Sequence, residues 1–68
     1  MARFEQFEIW EFKKGRWQLA ASFSDFQVAQ VMALHRGCRV RVMQVIYEEG
    51  KPPQQQVLTD IGATRDEP

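Results

Sequence analysis

The stretch Phe7-Glu8-Ile9-Trp10-Glu11-Phe12-Lys13-Lys14-Gly15-Arg16-Trp17-Gln18-Leu19-Ala20-Ala21-Ser22-Phe23 decides the fold. Apolar and polar residues alternate on both sides of Lys13-Lys14-Gly15, and the first run reaches back to Phe4, which predicts a β-hairpin. Gly15 can supply the positive φ of a three-residue loop closed by a glycine bulge. With Phe12 opposite Arg16, Ile9 pairs with Leu19 and Phe7 with Ala21. The inner face then carries Phe7, Ile9, Trp17, Leu19, Ala21 and Phe23, and Trp10 and Phe12 point outward.

A helix follows. Ser24 is a good N-cap, Gln27 completes a capping box, and Phe23 with Val28 forms a hydrophobic staple. These signals predict a helix over residues 25–36, ended by Gly37 in a left-handed cap. Asp25 and Arg36 sit at the ends that suit the macrodipole. Val28, Ala29, Val31 and Met32 make an inward stripe with His35 at its edge. Phe26, Ala33 and Leu34 lie elsewhere on the wheel, so only Gln27 and Gln30 are polar. A helix apolar almost all round is normally covered on more than one side.

Residues 39–47 are dense in β-branched side chains and predict the third strand. Val40, Val42 and Ile46 share one face; Arg39, Arg41, Met43, Val45 and Tyr47 share the other. Gln44 interrupts the apolar face, and a bulge near it would relieve the mismatch. Gly50 and Pro52-Pro53 mark a turn, and residues 55–61 read as a weaker edge strand. The sum is an α+β, two-layer ββαββ domain over residues 1–61: a mainly antiparallel four-stranded sheet with one helix on one face. Residues 62–68 have no reason to be ordered. The helix carries the chain back along the sheet, so strand three runs parallel to strand two and pairs with strand one. The expected strand order is 2-1-3-4.

Composition narrows the function. In 68 residues, nine basic and nine acidic side chains cancel, and a nucleic-acid binder of this size usually carries a positive excess. Cys38 is the only cysteine, so no disulfide can form within one chain, and with His35 the only histidine a structural zinc set is not expected. No metal or other cofactor is expected. No apolar run approaches the ~20 residues of a membrane span. Residues 1–5 include Glu5 and lead into no apolar core, so no signal peptide is expected, and the cytoplasm is the expected compartment.

Apolar surface exceeds what one small domain can bury, since a chain of ~60 residues hides only about 60% of its unfolded surface. The outer sheet face combines Trp10, Phe12, Arg16, Arg39, Arg41, Met43, Val45 and Tyr47, and the helix adds Phe26 and Leu34. Trp, Tyr, Met and Arg are the types enriched in protein interfaces. The favoured expectation is a non-enzymatic interaction or accessory module that binds a protein partner or a second copy of itself. Single-stranded nucleic acid on the same face is the alternative, with bases on the rings and arginines on phosphates. Neutral charge and the acids Glu8 and Glu11, read as exposed, weigh against it. A loop or tail lying over the face is the bland alternative.

Catalysis is not expected. His35 and Cys38 are three apart, but nothing orients the histidine, and a half-buried histidine beside a small apolar thiol accounts for both. Glu48 and Glu49 are adjacent in a turn and read as solvated acids. No phosphate loop, nucleophile elbow or HExxH occurs.

Phe7-Glu8-Ile9-Trp10, Gly15-Arg16-Trp17-Gln18-Leu19, Ala29, Ala33, Val40-Arg41-Val42 and Tyr47 together resemble small uncharacterised modules of bacterial, above all alphaproteobacterial, proteins. The resemblance covers Phe7 to Leu58. It implies a ββαββ architecture and a bacterial origin, and carries no catalytic residues.

Overall fold

A two-residue turn sets the frame of the molecule. In the computed structural model, which describes residues 2–62, Lys13 pairs with Arg16 across the loop Lys14-Gly15. Lys14 has φ 54° and Gly15 φ 81°, the two positive values that a type I′ hairpin turn needs. The strands so joined are β1 (Arg3–Lys13) and β2 (Arg16–Phe23). After them come α1 (Phe26–Leu34), β3 (Val40–Glu48) and β4 (Gln54–Ile61). The sheet order is β2-β1-β3-β4 with every neighbouring pair antiparallel, so the expected ββαββ fold and strand order are what the chain adopts.

The hairpin register differs from the expected one. Phe12 faces Trp17 and Trp10 faces Leu19, one residue away from the three-residue-loop pairing. A one-residue slip moves every side chain of a strand to the other face. Trp17 and Leu19 therefore leave the inner face and join Trp10 and Phe12 outside. Between Ile9 and Trp10 the register shifts, with Ala20 as the extra residue of β2. This bulge restores the phase, so Ile9 meets Ala21 and Phe7 meets Phe23 on the inner side. A second shift lies between Val42 and Met43 in the β3–β4 pairing, where Leu58 is the extra residue of β4. This irregularity lies next to Gln44, where a bulge was expected, but its extra residue is on β4; the Gln44 amide itself donates to Glu5 on the neighbouring strand. Both edge strands are thus bulged, a device that discourages pairing with further strands.

The core lies between α1 and the inner face. Phe7, Ile9, Ala29, Ala33, Val40 and Val42 are buried together, with Phe23, Phe26, Cys38 and Ile61 packed against them. Each fully buried branched side chain contributes about 1.5–3 kcal/mol. Ala29 and Ala33 are fully buried, and their small size lets the helix approach the strands. Phe26 stands edge-on to Phe7 with ring centroids 5.6 Å apart. The inward face is therefore Phe26, Ala29, Gln30 and Ala33, at i, i+3, i+4 and i+7. Val28, Val31 and Met32, expected inside beside Ala29, are exposed.

Helix ends also shift. Asp25 is the N-cap, its Oδ1 accepting from the Gln27 backbone N–H at 2.8 Å, so Ser24 stands one residue outside. At the other end His35 is the C-cap in right-handed geometry, and Arg36 N–H donates to the Ala33 carbonyl at 3.1 Å. Gly37 is not among the positive-φ residues, so the left-handed cap expected there does not form. Among the described residues no helix is long and apolar enough to cross a membrane. The expectation for the tail falls on residues 62–68, of which all but Gly62 lie outside the described residues.

Candidate binding face on the outer side of the sheet

Strand alternation builds the outer face from the middle outward. Central β1 contributes Phe4, Gln6, Glu8, Trp10 and Phe12. Their partners on β3 are Tyr47, Val45, Met43 and Arg41, with Arg39 at the strand's mouth, where its carbonyl accepts from Phe12 N–H at 2.9 Å. Edge β2 adds Trp17 and Leu19, and edge β4 adds Gln55, Val57 and Asp60.

Two polar clusters hold this face. In the first, Asp60 binds both arginines. Arg39 donates to it from Nε and Nη2 at 3.3 and 3.1 Å, and Arg41 from Nε at 3.0 Å. The Arg39 hydrogen bond leads in holding the Asp60 carboxyl below its ordinary value, against the opposing effect of burial. Both guanidinium groups also lie over Trp17, with Arg41 Cζ 4.3 Å and Arg39 Cζ 5.4 Å from the ring centroid. Phe12 completes the surround at 5.1 Å from Trp17, tilted by 56°.

Glu8 organises the second cluster. It is 5% exposed and accepts from Trp10 Nε1 and Gln6 Nε2, each at 3.0 Å, and from the Tyr47 hydroxyl at 3.4 Å. Burial, and then the nearby Glu8 charge, push the Tyr47 phenol up from its ordinary value. Tyr47 stacks on Phe4 with centroids 4.9 Å apart. Between the clusters a groove of about 250 Å³ is lined by Trp10, Trp17, Arg41, Met43 and Gln55. Phe4, Leu19 and Val57 rim the face at 58%, 53% and 45% exposure.

Of the residues expected here, Trp10, Phe12, Arg39, Arg41, Met43 and Tyr47 come together. Val45 belongs to the same face but is fully buried beneath its neighbours. Arg16 pairs with Lys13 and so falls on the opposite side of the sheet. Phe26 faces the core, and Leu34 is exposed on the helix, a layer away. The expected register left out Trp17 and Leu19, the expected exposure left out Glu8, and Asp60, opposite Arg41 on β4, was not singled out. The Ala20-Ala21 doublet was the available signal for Trp17 and Leu19, since it breaks the alternation of β2 at the bulge.

Glu11, also read as an exposed acid, is 9% exposed on the helix side. Arg36 Nη1 reaches it at 2.7 Å and Lys13 Nζ at 3.5 Å, tying the end of α1 to β1. Burial acts to raise the Glu11 carboxyl, yet the Arg36 hydrogen bond and the charges of Arg36 and Lys13 hold it below its ordinary value. His35 Nδ1 lies 2.8 Å from the Val31 carbonyl in its own helix, while Cys38 packs against the core. Compared with known protein families, curated proteins and solved structures, the chain has no significant match.

Proposed function

We propose that this chain is a non-enzymatic interaction module of the bacterial cytoplasm that binds a protein partner through the outer face of its sheet. The observation that carries this reading is the groove between Trp10 and Trp17, with Arg41 and Met43 in its walls. Aromatic, Arg and Met side chains in a semi-enclosed patch are the composition of interface anchors. Glu8 and Asp60 hold those side chains in place, so less conformational freedom is lost when a partner docks. The unpaired Cys38 and the resemblance to small bacterial modules support the compartment and the source.

Single-stranded nucleic acid is the second reading, favoured by stackable rings beside arginines. Against it stand Asp60, which binds both Arg39 and Arg41, and Glu8 at the centre of the face. Phosphates would have to compete with a carboxylate already in contact.

The test is affinity purification of the tagged chain from its host, alongside Trp17→Ala and Leu19→Asp variants. The proposal expects a stoichiometric protein partner that both variants lose and that Val31→Asp, on the helix, retains. Retention by both outer-face variants would defeat it. Fluorescence anisotropy with a labelled oligo-uridine in low and high salt tests the other reading. Tight, steeply salt-dependent binding would put nucleic acid in the partner's place.

A further inference from the structure

One guanidinium edge on the outer face is unclaimed. Arg41 reaches Asp60 through Nε alone, at 3.0 Å, and its guanidinium lies over Trp17. Its side chain is 34% exposed, and among the described residues no acceptor meets Nη1 or Nη2. The Trp17 indole N–H also lacks an acceptor among them. The acids of the face are already engaged: Glu8 accepts from three side chains and Asp60 from two arginines. Arginine and tryptophan bring donors only, while the Gln55 amide can give or accept, so a ligand that satisfies the groove must supply acceptors. We infer, on the protein-binding reading proposed for this face, that its groove receives an acidic side chain and a neighbouring apolar anchor of the partner. The carboxylate accepts from Arg41 Nη1 and Nη2, and the anchor packs against Trp10 and Met43.

Size and charge select that occupant. A groove of about 250 Å³ lies below the roughly 300–1,000 Å³ of small-molecule sites and suits one anchoring side chain. Arg41 is pre-set for a carboxylate, because Asp60 and Trp17 hold its Nε and one of its faces while the Nη edge stays open. A single carboxylate joins that edge without displacing Asp60. A run of phosphates would instead pass along both arginines, past the charges of Asp60 and Glu8. A basic segment would meet the Arg41 charge and find Glu8 buried beneath its three donors.

Selection of random phage-displayed peptides on the immobilised full chain supplies the probes. Enriched sequences should hold Asp or Glu at a fixed spacing from Trp, Phe, Leu or Met. One enriched peptide is then labelled and titrated beside its counterpart in which the acid is replaced by the amide. The replacement should weaken binding to the native chain by about tenfold or more, and Arg41→Gln should erase that difference. The selection uses no variant, so it stays decisive if Arg41→Gln does not fold. Enriched sequences without an acid, or no enrichment at all, overturn the inference, as does an equal loss in Arg41→Gln. A native partner that Trp17→Ala loses and Arg41→Gln retains would also overturn it while leaving the proposed function standing. Salt-dependent binding of oligo-uridine in place of peptide would overturn both.

Discussion

Arg41 lies over Trp17 with its guanidinium carbon 4.3 Å from the ring centroid, although β1 separates the strands that carry them. The contact requires Trp17 on the outer face, and that placement comes from the two-residue Lys14-Gly15 turn. A tryptophan that the simplest alternation assigns to the core becomes the centre of a surface cluster.

Truncating Trp17 should be milder than truncating a true core residue. Trp17→Ala loses the tilted ring contact with Phe12 and two guanidinium contacts, about 1–2 kcal/mol, and leaves a folded chain. Ile9→Ala, at a fully buried position, should cost about 2–5 kcal/mol. Urea denaturation of both variants gives the comparison; a larger loss for Trp17→Ala would put its side chain in the core.

The helix cap gives a paired prediction. Asp25→Ala removes the acceptor for Gln27 N–H and should cost about 1 kcal/mol, whereas Ser24→Ala should stay within about 0.5 kcal/mol. Equal losses in chemical denaturation would mean that both residues share the cap. Gly37→Ala should be close to neutral, having no positive φ to satisfy, and Gly15→Ala should be the more costly of the two.

Stability should fall in acid for identifiable reasons. The Glu11 and Asp60 carboxyls titrate below their ordinary values in the folded chain. Their contribution is therefore complete above the unfolded carboxylate range, about pH 4, and is lost as pH drops through the lowered folded values. Denaturation midpoints should decline across that window, and Glu11→Gln should flatten the decline. An unchanged slope in Glu11→Gln would show that the Arg36 and Lys13 pairs do not couple to folding.

Glu8 should be required for the order of the outer face. Glu8→Ala leaves the Trp10, Gln6 and Tyr47 donors without their acceptor, at a cost of about 1–3 kcal/mol. Near-ultraviolet circular dichroism should lose aromatic intensity while the far-ultraviolet spectrum keeps its sheet signal. Retention of the aromatic signal would mean that packing alone holds the rings.

The strand order and the core at Phe7, Ile9, Val40 and Val42 were legible in the sequence, because the connections and the run of branched residues give them whichever loop length closes the hairpin. The hairpin register was not. Gly15 suits a two-residue or a three-residue loop, and only the bulge at Ala20 reconciles the shorter loop with Phe23 inside. The helix orientation was hidden for another reason: with apolar residues on every side, periodicity cannot mark the buried face, and the pair Phe26 and Ala33 chose it through packing. Ser24 and Asp25 are adjacent and both competent caps, so the helix start was uncertain by one residue. The candidate face was legible in its β1 and β3 residues and lost its β2 residues to the register.

The shared outer face of Trp10 and Trp17 is tested most directly by nuclear Overhauser contacts from the Trp17 indole in a labelled sample. The structure predicts contacts to the side chains of Phe12 and Arg41, with none to the methyl groups of Ala29 and Ala33. Strong contacts from Trp17 to Ala29 or Ala33 would place it beneath the helix and contradict the register on which the proposed face is built.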